Sequence, residues 1–351
     1  MIRKTKIIVV DDSAFMRKAI EMMLREESSF EIVATANNGE DALKYIRELK
    51  PDVVTLDIEM PGMTGLEVLE RIMKDMPTPV IMISSLSTEG ADETIKALEL
   101  GAVDFIPKSL SYVSLDIVKI KDTLIEKIKN IRSLSKSIIK NVMSPGKKLP
   151  VLILQHDKIG KKIRFIAIGI STGGPRTLQE VIPRLPKDFP RPVMVVQHMP
   201  PKFTKSLAER LDKMSEVRVK EAEHNDSVKS GTVYIAPGGK HMKLKKNGTS
   251  LQIEISDTPD NTLHRPSVDI MLESIVDIYG SQTLSVIMTG MGKDGLKGSN
   301  SLYGKNGMIL SESEESCVVY GMPKAVVEAG IVDRTEPATN IAEAIMDYVR
   351  Q

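Results

Sequence analysis

The chain has 351 residues, and its 48 Lys+Arg are nearly balanced by 47 Asp+Glu, which gives a net charge of +1. This balance gives no reason to expect a nucleic acid or a membrane surface as a partner. The single cysteine, Cys317, excludes an internal disulfide and fits a reducing compartment.

No apolar run reaches the roughly 18 residues that indicate a membrane-spanning helix. The apolar run at 7–10 is too short for a signal peptide, and two aspartates follow it at once. We therefore expect a cytoplasmic protein without direct membrane insertion. At about 100–200 residues per domain, the length indicates two domains.

Residues 6–124 alternate between short apolar runs and longer amphipathic segments. Strands are predicted at 6–10, 31–36, 52–58, 79–85 and 103–109. Helices are predicted at 14–27, 39–50, 65–75, 94–101 and 113–128. Such alternation is typical of a parallel sheet covered by helices on both faces. The sequence thus predicts an α/β domain at 1–126 with a doubly wound (βα)5 fold.

Residues 127–162 have a different composition, since they are basic, serine-rich and interrupted by Pro145 and Gly146. We interpret this segment as a helix tail that continues into a linker. The apolar run at 151–155 has the pattern of a strand, so part of the linker is expected to be ordered.

A second α/β pattern begins at Arg164 and predicts a domain at 163–351 with a mainly parallel sheet. Strands are predicted at 165–171, 192–199, 233–238, 241–247, 250–256, 285–290 and 307–312. Helices are predicted at 175–185, 202–214, 267–280, 325–330 and 340–351. The turn at 246–248 predicts a hairpin between two of the shorter strands.

Acidic residues follow two predicted strands of the first domain: Asp11 and Asp12 come after one, and Asp57 after another. Ser84 and Lys108 end two more strands. Because ligands bind at the carboxyl ends of parallel strands, these side chains are expected to converge. The alternative is that the carboxylates only cap helices. Clustered carboxylates suit a hard cation such as Mg²⁺, and an aspartate beside such a cation and a lysine can accept a phosphoryl group.

The segments VVDDS, LDIEMPGMTG, ISS and FIPKS resemble the receiver domain of two-component response regulators. The resemblance covers about 120 residues and implies that Asp57 is the phosphorylation site. It also implies that Asp12, Asp57 and the backbone carbonyl of Glu59 bind Mg²⁺, with Asp11 assisting through water.

The same resemblance assigns Ser84 and Lys108 to contacts with the phosphoryl group. Phe105 stands where relatives have an aromatic residue that rotates on phosphorylation. Since phenylalanine has no hydroxyl, this chain departs from those relatives that have tyrosine there. We expect Ser84 to move toward the phosphoryl group and Phe105 to turn inward.

The second domain contains G-I-S-T-G-G-P at 169–175, between a predicted strand and a predicted helix. A serine on a glycine-flanked turn is exposed, as in the G-x-S-x-G turn of hydrolases. A glycine-rich loop before a helix can equally bind a phosphate or nucleotide. By itself the motif leaves both interpretations open for Ser171.

A serine nucleophile needs a base and a carboxylate that orients the base. Of the histidines at 156, 198, 224, 241 and 264, His198 ends the strand that follows the serine turn. Asp294 lies between glycines directly after a later strand. Asp269 is the main competitor, although its place at a helix start also fits a capping role. The order Ser, His, Asp differs from the Ser, Asp, His order of ordinary α/β-hydrolases.

The segments GISTGGP, VVQHMP, YIAPGGKHM, HRPSVD and MTGMGKDG resemble the catalytic domain of the chemotaxis methylesterases, the CheB family. The resemblance extends from Ile163 to about Val349. It implies that Ser171 is the nucleophile, His198 the base and Asp294 its orienting carboxylate. It further implies that the backbone N–H of Met291 helps to form the oxyanion hole.

By the same resemblance, the cleft is lined by Thr172, His264 and Arg265, and the hydrolase site needs no cofactor. The family hydrolyses glutamate methyl esters on methyl-accepting chemoreceptors and deamidates receptor glutamines. Its phosphodonor is the chemotaxis histidine kinase.

The leading hypothesis is a phosphorylation-regulated protein-glutamate methylesterase and glutamine deamidase. The alternative is a response regulator without enzymatic activity, whose second domain binds a partner. A nucleotide-binding output is disfavoured because the chain lacks the P-loop pattern. A DNA-binding output is disfavoured because no basic recognition helix follows the receiver.

Overall fold

The structure is a computed structural model that describes residues 3–108, 116–132, 152–153 and 162–350. The chain divides into two compact units, Met1–Ser144 and Pro145–Gln351. Among the described residues, no helix is long and apolar enough to cross a membrane.

The first unit is a parallel sheet whose described strands follow the order β2-β1-β3-β4-β5. Its strands are β1 Thr5–Val10, β2 Phe30–Ala36, β3 Val53–Asp57, β4 Val80–Ser85 and β5 Asp104–Lys108. Its helices are α1 Ala14–Arg25, α2 Gly39–Leu49, α3 Gly65–Asp75, α4 Thr88–Glu99 and α5 Asp116–Arg132. This is the predicted (βα)5 arrangement, except that α4 begins earlier than position 94.

Side-chain caps set the beginnings of two helices that follow the sheet. Ser13 accepts the backbone N–H of Met16 at the start of α1, and Thr64 forms a reciprocal capping box with Glu67 at the start of α3. Such caps satisfy backbone donors that have no partner within the helix. The loops that carry the acidic residues are therefore attached to well-defined elements.

Helix α5 continues beyond residue 126, where the sequence analysis ended the first domain. Ile128 and Ile131 are buried in the core of the first unit. The predicted linker overlaps the described residues only at 127–132, 152–153 and 162, and the rest of it, including His156, lies outside them. The predicted boundaries at 126/127 and 162/163 stay predictions.

The second unit contains a larger sheet and a separate hairpin. Its strands are β6 Leu152–Ile153, β7 Phe165–Ile170, β8 Val193–Gln197, β9 Arg218–Glu221, β10 Thr232–Ile235, β11 His241–Asn247, β12 Ser250–Ser256, β13 Thr283–Ile287, β14 Met308–Glu312 and β15 Arg334–Glu336. Its helices are α6 Gly174–Val181, α7 Phe203–Met214, α8 Val268–Tyr279, α9 Leu296–Gly304, α10 Met322–Glu328 and α11 Ala338–Arg350.

The described strands of the larger sheet follow the order β6-β15-β14-β13-β7-β8-β10-β9. All neighbours are parallel except β6 and β15, which pair antiparallel. From β7 the chain moves to β8 on one side, and from the adjacent β13 it moves to β14 on the other. The predicted fold class is confirmed, and a topological switch point lies between β7 and β13.

Three elements of the second unit were missed by the sequence analysis: β9, β15 and α9. The two strands are short and contain charged residues, so they lack a long apolar run. Helix α9 contains Gly298, which disfavours a helix. A Cβ at Gly298 would lie 2.5 Å from the Cβ of Leu272, so the close packing of α9 on α8 explains this glycine.

The predicted hairpin is confirmed, but its turn is shifted by one or two residues. Asn247 pairs with Ser250, so the two turn residues are Gly248 and Thr249. Gly248 has a φ of +60°, a value that glycine adopts without strain.

Candidate active site

Ser171 directly follows β7, one of the two strands that flank the switch point. Its backbone N–H donates to the carbonyl of Thr289 at 2.9 Å, and its carbonyl accepts the N–H of Gly174 at 2.8 Å. Gly173 has a φ of +80°, which lets the chain turn sharply into α6. The serine therefore lies on a tight strand-to-helix turn, as the motif predicts.

His198 follows the adjacent strand β8, and its backbone N–H donates to the carbonyl of Ile170 at 3.2 Å. Its ring Nε2 lies 2.8 Å from Oδ2 of Asp294. Because an ionised carboxylate only accepts, Nε2 carries a proton, and in the neutral form of the ring Nδ1 then keeps its lone pair. Within the described residues, this buried Nδ1 has no hydrogen-bond partner.

Asp294 is surrounded by donors. Oδ2 accepts the N–H of Val268 at 2.8 Å in addition to His198, while Oδ1 accepts Ser267 Oγ and the N–H of Asp269, both at 3.0 Å. Burial alone would raise the pKa of Asp294, but the bonds from His198 and the two backbone N–H groups outweigh it and hold the pKa below its usual range. The carboxylate is thus ionised beside the imidazole.

Asp269, the alternative to Asp294 as the carboxylate that orients His198, is bonded to the start of a helix instead. Its Oδ1 accepts the N–H groups of Gly295 and Gly298 at 2.9 and 2.8 Å. It therefore caps α9, the helix that follows Asp294, while Asp294 caps α8, the helix that contains Asp269. Burial and the charge of Asp294 raise the pKa of Asp269 to about 6. A capping role for Asp269 was weighed from the sequence, but for its own helix rather than for α9.

The three residues predicted to line the cleft differ in their contacts. His264 stacks on His198 with ring centroids 4.2 Å apart and an interplanar angle of 16°. Burial, followed by the charge of His198, lowers the pKa of His264 to about 4, so this ring is neutral near pH 7. Thr172 is buried within the serine turn, and its carbonyl accepts a hydrogen bond from Thr289 Oγ1. Arg265 donates to the carbonyl of Asp260 at 3.2 Å.

Two other histidines of the second unit have local contacts apart from the serine. His241 is buried, and its Nε2 lies 2.9 Å from the carbonyl oxygen of Pro259. His224 is exposed, and its Nδ1 accepts the N–H of Ile255 at 3.2 Å.

The carboxylates of the first unit converge as the sequence predicts. Carboxylate oxygens of Asp11, Asp12 and Asp57 lie within 4.8 Å of one another. Lys108 Nζ lies 2.6 Å from Asp57 Oδ2 and 3.6 Å from Asp11 Oδ2. Burial raises the pKa of Asp57 to about 6, although the hydrogen bond from Lys108 opposes the rise. Burial also raises the pKa of Asp11.

These residues fit a hard divalent cation. Asp11 Oδ2 is buried and has no hydrogen-bond partner among the described residues, so one acceptor remains for a cation. A single lysine does not neutralise three carboxylates, and oxygen ligands suit Mg²⁺. The backbone N–H of Glu59 donates to Asp57 Oδ1 at 3.2 Å, which brings its peptide to the cluster. Use of its carbonyl as a ligand stays a prediction.

The two predicted switch residues are both buried. Ser84 Oγ donates to the carbonyl of Gly90 at 3.0 Å and accepts Thr94 Oγ1 at 2.6 Å, so it is bonded to α4. The ring of Phe105 is 5% exposed, with Lys127 Nζ 5.9 Å from its centroid. The ring is thus already inside the unit, and the expected inward turn stays a prediction.

The sequence profile of CheB methylesterases matches residues 166–345, about half of the chain. The chain belongs to the CheB methylesterase family. The profile of response regulator receiver domains matches residues 7–117. This CheB family member is therefore a hydrolase with a receiver domain, which confirms the family and enzyme class expected from the sequence.

Similar proteins span nearly the whole CheB chain. A protein named protein-glutamate methylesterase/protein-glutamine glutaminase 1 from Syntrophomonas wolfei is 47% identical, covering 99% of both chains. The protein of the same kind from Bacillus subtilis is 45% identical, also covering 99% of both. A crystal structure of the Thermotoga maritima CheB methylesterase catalytic domain is 48% identical, covers 53% of this chain and 98% of its own, and has a TM-score of 0.52.

Two residues of the CheB site were missed by sequence reasoning. Gln197 Nε2 donates to the carbonyls of Ser171 at 2.9 Å and His198 at 3.3 Å, which joins the two turns. Gly290 lies against Ser171, since a Cβ there would be 2.7 Å from Ser171 Cβ and 2.5 Å from Met322 Sδ. Gln197 precedes His198 in VVQHMP, which was the only sequence signal for it.

Proposed function

We propose that this protein hydrolyses glutamate methyl esters, and deamidates selected glutamines, on methyl-accepting chemotaxis receptors. Its second unit would act through Ser171, His198 and Asp294. Its receiver would be phosphorylated at Asp57 by a chemotaxis histidine kinase. The full-length relatives are named for these two reactions on protein glutamate and glutamine residues, which supports the proposed chemistry.

One observation carries the mechanism: His198 Nε2 is bonded to the ionised Asp294, while Nδ1 remains available. An imidazole in this tautomer acts as a base at Nδ1 and is stabilised by the carboxylate after it is protonated. Ser171 lies at the end of the neighbouring strand, where β7 pairs with β8. We therefore expect the serine of the glycine-rich turn and the base of the adjacent strand to act as one reacting unit.

In the first step, Nδ1 takes the proton of Ser171 Oγ as this oxygen attacks the ester carbonyl carbon. The carbonyl oxygen becomes an oxyanion, which the backbone N–H of Met291 would stabilise. When the bond to the methoxy group breaks, the imidazolium gives its proton to that oxygen and methanol leaves. Water, deprotonated by the same base, then attacks the acyl carbon, and the bond to Ser171 Oγ breaks. This step releases the receptor with a glutamate side chain and restores the Ser171 hydroxyl. A glutamine side chain follows the same path and releases ammonia.

The receiver would supply regulation. A carboxylate oxygen of Asp57 would attack the phosphorus of the phosphohistidine of the kinase, and the P–N bond would break so that the histidine leaves. Lys108 Nζ, 2.6 Å from the Asp57 carboxylate, would neutralise the developing charge. Asp11, Asp12, Asp57 and the carbonyl of Glu59 would hold Mg²⁺, which supplies further charge neutralisation when bound. Ser84 and Phe105 would respond to the new phosphoryl group.

The alternative is a regulator that only binds a partner through its second unit. Such a protein would not need an ionised carboxylate against the imidazole beside a serine turn. The decisive experiment measures methanol release from membranes with methylated receptors, with and without a phosphodonor. Release that depends on Ser171 supports the enzyme, while no release from the wild type would support the binding regulator.

Removal of residues 1–150 is expected to raise methanol release in the absence of a phosphodonor. We propose that the unphosphorylated receiver restrains the hydrolase, and a restraint of a few kcal/mol shifts the active population on the order of tens-fold. The cut keeps β6, which pairs with β15. As a control, full-length Asp57→Asn should keep basal activity but lose stimulation. A fragment no faster than the unphosphorylated chain would instead favour activation by the phosphorylated receiver.

Gly290→Ala is expected to lower kcat by on the order of 10–100-fold, because the added Cβ would displace the serine turn that it contacts. The matched control is Gly304→Ala, since a Cβ there has open space around it. Methanol release and melting temperature should be measured for both variants. Equal activity of the two would show that Gly290 does not set the position of Ser171.

A further inference from the structure

A fully buried acid, Glu312, lies at the end of β14 and takes no direct part in the proposed chemistry. It is 0% exposed, and burial raises its pKa to about 7. None of the ion pairs found in the described residues involves it. An unpaired acid in this position is costly unless its oxygens accept good hydrogen bonds.

Both oxygens of Glu312 accept such bonds. Oε2 accepts the backbone N–H of Thr289 at 2.8 Å, and Oε1 accepts Ser316 Oγ at 2.9 Å. The first of these bonds leads directly toward the candidate active site, because Thr289 begins the segment that contains Gly290 and Met291.

The path of the backbone explains why Thr289 needs a side-chain acceptor. After β13 the chain continues to pair with β7: Met288 N–H donates to Gly169, and the carbonyl of Thr289 accepts Ser171 N–H. On the opposite side β14 ends, and Ser313 N–H donates to Glu336 in β15. The N–H of Thr289 therefore has no strand beside it, and Glu312 supplies the missing acceptor.

Thr289 uses its other polar group to join the surrounding turns. Its Oγ1 donates to the carbonyl of Thr172 at 2.9 Å and accepts the N–H of Val319 at 3.0 Å. The N–H of the next residue, Gly290, donates to the carbonyl of Val319 at 3.0 Å. Every polar group of Thr289 is thereby held, and the bond to Glu312 fixes the peptide that precedes it.

We propose that Glu312 is a positioning residue, whose carboxyl oxygen holds the Thr289 peptide so that Gly290 and Met291 lie correctly against Ser171. This inference rests on the proposed hydrolysis by Ser171. It assigns the role to the position of an acceptor oxygen and not to a negative charge. The oxyanion donor would otherwise move with the released segment.

The test compares two conservative variants of the full-length protein. Glu312→Gln keeps an amide oxygen at the same reach, so kcat should stay within about threefold of the wild type. Glu312→Asp keeps the acid but shortens the side chain by one methylene, so kcat should fall on the order of 10–100-fold with KM unchanged. The matched control is Ser316→Ala, which removes a bond to Oε1 but leaves the bond between Oε2 and Thr289, and should leave kcat within about threefold.

Amide exchange at Thr289 provides a readout that does not need activity. We expect slow exchange in the wild type and in Glu312→Gln, and faster exchange in Glu312→Asp. If Glu312→Asp is active and Glu312→Gln is not, the charge matters and the inference is wrong. The inference is also wrong if both variants keep the wild-type kcat. It is likewise wrong if the fall in kcat parallels a fall in melting temperature and KM rises by the same factor. A wild type that releases no methanol but shows this exchange pattern would overturn the proposed function alone.

Discussion

Ser171→Ala is expected to lower kcat for methyl ester hydrolysis by on the order of 10⁴–10⁶-fold, since nothing else replaces the nucleophile. His198→Ala should cost nearly as much, because Nδ1 is the proposed base. The double variant should be no slower than either single variant, as the two residues act as one unit. Asp294→Ala should have a smaller effect on kcat, since in the chemical step Asp294 orients and stabilises the imidazolium without forming a bond to the substrate. Methanol release under saturating substrate gives all four values.

The matched histidine control is His224→Ala, because His224 is exposed and accepts a hydrogen bond from Ile255 of the hairpin. This variant should be as active as the wild type. If the losses of the two single variants multiplied in the double variant, Ser171 and His198 would be acting independently, and the proposed reacting unit would be wrong.

Asp57→Asn is expected to abolish labelling by a small phosphodonor in the presence of Mg²⁺. The amide is a poor nucleophile, and no other carboxylate of the cluster is bonded to Lys108 as closely as the 2.6 Å contact at Asp57. Chelation of Mg²⁺ should abolish labelling of the wild type as well. Phosphoprotein labelling followed by mass spectrometry measures both effects.

Asp75→Asn is the control for this experiment, because Asp75 lies exposed at the end of α3 and should not affect labelling. Labelling of Asp57→Asn at the wild-type level would place the phosphoryl group on another residue. The receiver assignment of Asp57 would then be wrong, although the fold of the first unit would stand.

The sequence predicted both folds because their cores depend on local patterns. Apolar strands and amphipathic helices alternate in each unit, and this alternation alone predicts parallel sheets. Elements without such a pattern were missed: β9 is short and charged, and α9 contains a glycine that tertiary packing on Leu272 explains.

The site was predictable where residues follow strands, because the carboxyl ends of parallel strands meet. Ser171, His198 and Asp294 follow this rule. Glu312 could not be predicted, since its role depends on where β14 ends beside the chain that leaves β13. The bonds from Asp269 to the start of α9 could not be predicted either, because a capping aspartate normally caps the helix that it precedes or begins.

Asp294 caps α8, the helix that contains Asp269, while Asp269 caps α9, the helix that follows Asp294. This arrangement limits which substitutions the two positions can accept. In many enzymes, replacing a catalytic residue increases the stability of the fold while it lowers turnover. Here the carboxylate proposed to orient His198 also caps the beginning of α8, because it accepts the N–H groups of Val268 and Asp269. Its loss removes support from a helix together with the orientation of the base. A substitution of Asp294 is therefore expected to lower both the stability of the second unit and the turnover of the proposed hydrolase.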